Sequence, residues 1–133
     1  MVFLMHSGNR NKPAGFTLVE LLVVLTILAL LLSLAVPRYF TSLERAKEAT
    51  LKHDLNTVRE GLDKYFSDNG KYPSSIDELV EHKYINKYPL DPITDSTATW
   101  IIIPPDPPFE GDVYDIQSGA PGSAIDGTKY SEW

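Results

Sequence analysis

One carboxylate in this 133-residue chain lies where a charge is costly. Glu20 is the single ionisable residue of an apolar run from Phe16 to Val36. An ionised carboxylate inside a bilayer costs about 2.5–3.5 kcal/mol on insertion scales. Glu20 therefore needs a cationic partner such as an ammonium group, or it must lie near enough to the interface to be protonated or hydrated.

The rest of the sequence lacks the patterns of an enzyme. It has no Gly-rich phosphate loop, no His-rich metal spacing and no nucleophile elbow. His53 lies among charged residues and His82 near the end of a predicted short helix, and both are interpreted as surface histidines. Asp77 and Glu78 lie where that helix begins, and their charges suit the helix dipole. We predict a protein without enzymatic activity.

The apolar run is long enough to cross a membrane. As a helix, Phe16–Val36 would span about 31 Å, close to the thickness of a bilayer's hydrocarbon core. Arg10 and Lys12 precede the run, and positive charge marks the cytoplasmic end of a membrane segment. A conventional signal peptide has its small residues after the apolar core, whereas Gly15 precedes it here. An uncleaved signal anchor is the alternative interpretation.

Gly15, Phe16, Thr17 and Glu20, preceded by a short basic leader, resemble the type IV prepilin signature. The resemblance implies that a membrane-bound prepilin peptidase cleaves between Gly15 and Phe16. The same enzyme would then methylate the new amino group of Phe16. The nearest cation for Glu20 is then the new ammonium of Phe16, either its own or a neighbour's. In this family the glutamate pairs with the amino terminus of an adjacent subunit, so Glu20 is expected to set the register of a filament.

The resemblance divides the chain into three parts. Residues 1–15 would be the cleaved leader, residues 16–36 the transmembrane and assembly helix, and residues 37–133 a pilin-like globular domain. Pro37 falls where the apolar run ends, and proline inside a helix removes a backbone hydrogen bond and clashes with the preceding turn. We expect a helix bend at Pro37, with the helix continuing beyond it, as is common in pilin-like proteins.

An amphipathic helix is predicted after Pro37, up to the breakers at Ser67–Gly70. Apolar residues recur there at helical spacing, with charged residues between them. The apolar stripe must be covered by later parts of the chain. The stripe comprises Leu43, Ala46, Leu51, Leu55, Val58, Leu62, Tyr65 and Phe66.

The second half of the chain predicts a small α+β domain. Ser75–Glu78 indicate a capping box that starts a short helix through about Lys83. Residues 98–103 and 112–118 have strand composition, and the proline-rich residues 104–108 exclude a tight hairpin between them. We predict an α+β, type IV pilin-like fold: a long N-terminal helix packed against a short helix and a small antiparallel sheet.

The turn after the long helix favours one branch of the prepilin superfamily. Asn69-Gly70 followed by Tyr72-Pro73 resembles the major pseudopilins of type II secretion systems. The resemblance implies a homopolymer in the periplasm that helps to drive protein export across the outer membrane. Its implied partners are minor pseudopilins, the prepilin peptidase, and the inner-membrane assembly platform with its ATPase. The expected location is the inner membrane, crossed once, with the C-terminal domain in the periplasm.

Two other functions fit parts of the sequence. A structural subunit of a type IV pilus, serving adhesion, motility or DNA uptake, would share the N-terminal features. The missing cysteines and short C-terminal region disfavour it, and a net charge of −6 disfavours nucleic-acid binding. A membrane-tethered binding domain that never polymerises would need neither Glu20 nor Gly15-Phe16.

The C-terminal region carries a further resemblance. Val113–Thr128 is similar to the strand and Gly-rich loop that hold a calcium ion in major pseudopilins. Asp115, Ser118 and Asp126, with backbone carbonyls, are the candidate ligands, since calcium takes carboxylate and carbonyl oxygens. The family's usual aspartate is replaced by Pro121. Ordinary turn chemistry is the alternative, while the lack of cysteine favours the metal, because pilins proper close this region with a disulfide.

Overall fold

The computed structural model describes residues 3–5, 8 and 13–133, so the basic leader residues Arg10 and Lys12 lie outside the described residues. The chain forms two compact units, residues 1–38 and residues 39–133. The elements in order are α1 (Leu18–Asn69), α2 (Ile76–Glu81), β1 (Trp100–Ile103), β2 (Asp115–Ser118) and a 3₁₀ helix (Tyr130–Glu132). This order confirms the predicted α+β, pilin-like fold.

The first unit contains the apolar beginning of α1. Every residue from Leu18 to Arg38 is exposed within the chain. Among the described residues, α1 is the one helix long and apolar enough to cross a membrane by length and composition, with a mean hydropathy of 2.8 in its best window. An apolar surface of this extent in the isolated chain requires lipid or other helices to cover it.

Helix α1 ends where the breakers predicted an end. Gly70 has φ of 71°, a conformation that glycine adopts without steric cost. Its amide donates to the carbonyl of Phe66 at 2.8 Å, and the side-chain amide of Asn69 donates to the carbonyl of Tyr65 at 3.0 Å. These bonds satisfy carbonyls that the last helical turn would leave unpaired.

The core of the second unit is built on one face of α1. From Leu51 to Tyr65 the predicted stripe is buried, and it packs with apolar residues of α2, of the sheet and of the C-terminal region, whereas Phe66 is half-buried. The main contributors are Leu51, Leu55, Val58, Leu62, Tyr65, Ile76, Leu79, Trp100, Val113 and Ile116. Leu43 and Ala46 remain exposed, so their place in the stripe was wrong. The side chains that cover α1 in this unit begin only at the level of Glu48.

A capping box starts α2, as predicted, with one change of partner. Ser75 Oγ accepts the amide of Glu78 at 3.3 Å. The Glu78 carboxylate reaches back to the amide of Ser74 at 2.7 Å, rather than to that of Ser75. The helix ends at Glu81, earlier than predicted, and Lys83 has φ of 63°, outside the right-handed helical region.

Strands β1 and β2 form a two-stranded antiparallel sheet in which Trp100 pairs with Ser118 and Ile103 with Asp115. Both strands are shorter than predicted. At the start of the second segment, the amides of Asp112 and Val113 both donate to the carbonyl of Pro73 and so leave the ladder.

Tyr65 joins α1 to α2. Its hydroxyl donates to Glu78 Oε1 at 2.7 Å. The hydrogen bond to Glu78, assisted by burial, raises the pKa of Tyr65 to about 12. The same bond, together with those from Ser74, lowers the pKa of the Glu78 carboxyl. The stabilisation of the folded state that follows from the raised pKa of Tyr65 is therefore present below the ordinary tyrosine pKa and is lost as the pH rises towards 12. For Glu78, it is present above the ordinary glutamate pKa and is lost on acidification.

Tyr65→Phe is expected to reduce the free energy of unfolding near neutral pH and to flatten its fall at both pH extremes. The pKa of Glu78 should move upward, because its strongest donor is gone. Chemical denaturation across pH, with NMR titration of glutamate carboxyls, measures both effects. Tyr114→Phe removes the hydroxyl of an exposed tyrosine and is the matched control. An unchanged Glu78 pKa in the Tyr65 variant would contradict the assignment.

Candidate assembly segment and C-terminal loop

Glu20 and Thr17 cap the start of α1 reciprocally. The amide of Glu20 donates to Thr17 Oγ1 at 3.1 Å, and the amide of Thr17 donates to Glu20 Oε2 at 3.2 Å. This is a capping box, which satisfies amides that have no partner inside the helix, and the carboxylate also lies at the positive end of the helix dipole. Glu20 Oε1 makes no hydrogen bond among the described residues. One oxygen of Glu20 thus orders the helix start while the other remains available.

Gly15 and Phe16 precede α1 in non-helical, exposed backbone. The Phe16 side chain is 93% exposed, and a Cβ placed on Gly15 would meet no atom within 4 Å. The described part of the chain therefore leaves the Gly15–Phe16 peptide bond open to a protease.

The apolar part of α1 contains two hydroxyls, and both bond within the helix. Thr26 Oγ1 donates to the carbonyl of Leu22 and Ser33 Oγ donates to the carbonyl of Leu30, each at 2.7 Å. These bonds remove the cost of placing the two hydroxyls in an apolar environment. Glu20 remains the charged group of this stretch.

Pro37 lies inside α1, whose assigned span continues to Asn69. The predicted continuation of the helix past Pro37 is thus present. The bend expected there stays a prediction, since it concerns the junction of the two compact units.

The predicted calcium ligand Asp115 is engaged by a protein cation. Its Oδ1 accepts from Arg59 Nε at 2.8 Å and from the amide of Ile116 at 2.8 Å. The side chains of Arg59 and Asp115 are 34% and 28% exposed, so this ion pair is partly buried. A calcium ion at Asp115 would have to compete with the guanidinium.

The other two predicted ligands also have protein partners. Ser118 is fully buried; its hydroxyl donates to Asp91 Oδ2 at 2.5 Å and accepts the amide of Ala120 at 3.1 Å. Asp126 Oδ1 accepts from both the hydroxyl and the amide of Thr128, which lowers the pKa of this exposed carboxyl. In the described part of the chain, no group of three or more His, Cys, Asp or Glu side chains is placed to hold a metal. The three side chains as placed do not form a calcium site, and calcium binding stays a prediction.

Three side chains that order this region were not singled out from sequence. Arg59 and Glu48 lie on α1 among other charges, and Asp91 directly precedes the turn at residues 92–95. Asp91 is fully buried and also accepts the amide of Ile93 at 2.9 Å. An Asp-Pro pair is a turn signal, but a charge on an amphipathic helix gives no local sign of its partner.

Comparison with known proteins agrees with these features. Residues 10–36 match the family model of the prokaryotic N-terminal methylation motif. The type II secretion system core protein G of Pseudomonas aeruginosa is 33% identical over 100 residues, covering 63% of this chain and 70% of that protein. The protein of the same description from Escherichia coli K12 is 30% identical over 127 residues, covering 84% of this chain and 83% of that protein. The protein of the same description from Vibrio cholerae is 33% identical over 99 residues, covering 63% of this chain and 68% of that protein. No solved structure gives a significant match.

His53 and His82 are both exposed, as predicted for surface histidines. The methylation motif lies where Gly15, Phe16 and Glu20 predicted a prepilin, and the relatives extend over most of the chain. This chain belongs to the type II secretion system core protein G family, the structural, non-enzymatic major pseudopilins of type II secretion.

Proposed function

We propose that the chain is made as a precursor whose leader, residues 1–15, is removed by the prepilin peptidase after Gly15. The same enzyme methylates the new amino group of Phe16. Two observations support this step: the exposed Gly15–Phe16 bond and the match of residues 10–36 to the methylation motif. Because cleavage precedes the apolar run, the mature protein keeps its anchor.

The mature chain crosses the inner membrane once through residues 16–36, with the domain of residues 37–133 in the periplasm. The exposed surface of this part of α1, in which Glu20 is the single ionisable residue, supports the proposal, because an apolar surface of this length is stable only in lipid or against other helices. The basic residues Arg10 and Lys12 before the run favour a cytoplasmic leader.

The observation that carries the proposed assembly is the position of Glu20. The next charged residue along α1 is Arg38, more than four helical turns away, so the helix supplies no cation of its own near Glu20. Cleavage creates an ammonium at Phe16, one turn before Glu20. In a homopolymer, Glu20 Oε1 of one subunit pairs with the Phe16 ammonium of its neighbour, and this pairing sets the register of the filament.

The filament grows from the inner membrane into the periplasm and helps to move folded proteins across the outer membrane. Its partners are minor pseudopilins and the inner-membrane assembly platform with its ATPase. Pro37 bends the helix where it leaves the membrane-spanning part. Membership of the core protein G family supports these partners, because each of them belongs to a type II secretion system.

Gly15→Val is expected to block processing. The larger side chain meets open space in the precursor, so folding is preserved while the peptidase loses its small residue before the cut. Immunoblotting should show only the precursor, mass spectrometry should show no methylated Phe16, and release of secreted proteins should stop. Gly8→Val, also in open space within the leader, is the matched control. Normal cleavage of the Gly15 variant would contradict the proposed site.

A strain lacking the chain separates the two filament functions. Loss of protein secretion with surface fibres and motility intact is the expected result. Loss of surface fibres or motility with secretion intact would overturn the proposed role in export.

A further inference from the structure

Arg59 gathers three oxygens from two distant parts of the C-terminal region. Its Nε donates to Asp115 Oδ1 at 2.8 Å, and its Nη2 donates to the carbonyl of Ile116 at 3.2 Å. The same Nη2 donates to the backbone oxygen of Trp133 at 2.7 Å. The guanidinium of Arg59, which lies on α1, therefore links the start of β2 to residue 133.

The same face of α1 also binds the C-terminal loop, the residues 119–133 that follow β2. Glu48 Oε1 accepts the amide of Ile125 at 2.8 Å and the hydroxyl of Tyr130 at 3.1 Å. Lys52 Nζ lies 4.5 Å from the ring centroid of Trp133. Positions 48, 52 and 59 fall within about 40° of one another on a helix of 3.6 residues per turn. These three charged side chains therefore form one stripe on α1 that contacts the C-terminal loop at several points.

Each of the three side chains predicted to bind calcium already bonds to another protein group. Asp115 pairs with Arg59, Ser118 with Asp91, and Asp126 with Thr128. Pro121 stands where the resemblance to major pseudopilins implies a further aspartate, so this anionic ligand is also missing. Calcium sites of high affinity depend on the number of charged ligands, which is reduced here.

We propose that the guanidinium of Arg59 takes the place of calcium in this chain, so that the C-terminal loop folds without a metal. An arginine is suited to this role because its planar, permanently charged fork donates several hydrogen bonds in fixed directions. Because it is carried on a rigid helix, the cation is present in every subunit whatever the calcium concentration of the surroundings. The proposal concerns the folded subunit and is independent of filament assembly.

The first test needs no substitution. The purified full-length chain in detergent is melted in excess CaCl₂ and in EDTA, and unfolding is followed by fluorescence of Trp133 and Trp100. The two melting temperatures should agree, and calorimetric titration with CaCl₂ should show no saturable binding. A melting temperature that falls in EDTA and recovers with CaCl₂ would overturn the proposal.

The second test removes the cation. Arg59→Met keeps the length of the side chain but not its charge, and the melting temperature should fall by about 5–15 °C, in CaCl₂ and EDTA alike. Arg45→Met is the matched control, because Arg45 is exposed on the same helix and makes no hydrogen bond among the described residues. An Arg59 variant that melts like the Arg45 variant would overturn the proposed role of the guanidinium.

Discussion

Glu20→Ala is expected to abolish filament assembly and protein secretion while cleavage after Gly15 continues. The substitution removes the partner of the neighbouring Phe16 ammonium, and it also removes the cost of about 2.5–3.5 kcal/mol that favours moving Glu20 out of lipid. Per subunit, this corresponds to a shift of roughly 60- to 300-fold towards the unassembled, membrane-bound form. Electron microscopy of sheared filaments and assay of secreted proteins in the native host measure the result.

Glu20→Gln separates the charge of Glu20 from its capping role. Glutamine at this position can still accept the amide of Thr17, as glutamate does, because both side chains complete a capping box. It cannot form an ion pair. If register depends on the charge, the glutamine and alanine variants should be equally defective. Normal assembly of the glutamine variant would show that Glu20 acts through the start of its own helix.

Gly119→Ala is expected to destabilise the globular domain by about 3 kcal/mol or more. Gly119 directly follows β2, and a Cβ there would overlap the carbonyl oxygen of Thr99, while the carbonyl carbon would lie 3.2 Å away. Both clashing atoms belong to the backbone, so relief requires the end of the two-stranded sheet to move. With a total stability of about 5–10 kcal/mol, a small domain loses much of its margin.

Thermal unfolding of the purified full-length chain and its steady-state level in cells report this change. Gly122→Ala is the control, because a Cβ there meets no atom within 4 Å although φ is 93°. Its cost should be limited to the backbone conformation, about 1 kcal/mol. Equal melting temperatures of the two variants would contradict the close packing of Gly119 on Thr99.

Local chemistry explains which parts of this fold could be predicted from sequence. A few neighbouring residues determine the end of α1 at Asn69, the cap at Ser75 and the composition of the two strands. The N-terminal segment is equally local, because its properties follow from an unbroken apolar run with Glu20 near its start.

Contacts between distant residues account for what sequence could not give. The pairing of Arg59 with Asp115 spans 56 positions, and that of Asp91 with Ser118 spans 27. Neither member of either pair differs locally from ordinary surface or turn residues. The same gap in information explains why Leu43 was placed in the buried stripe: periodicity identifies a face of a helix but not how far its cover extends.

The hydroxyls of Thr26 and Ser33 have a mechanical consequence for a filament built from these subunits. Since both already bond to their own helix, a neighbour packed along residues 21–36 meets a surface that offers shape but no polar bond of defined length. Under axial tension, the ion pair of Glu20 would then be the one polar contact along this segment that has to break in each subunit. The apolar surfaces of neighbouring helices can slide along one another without breaking a hydrogen bond, so we expect such a filament to stretch before it ruptures.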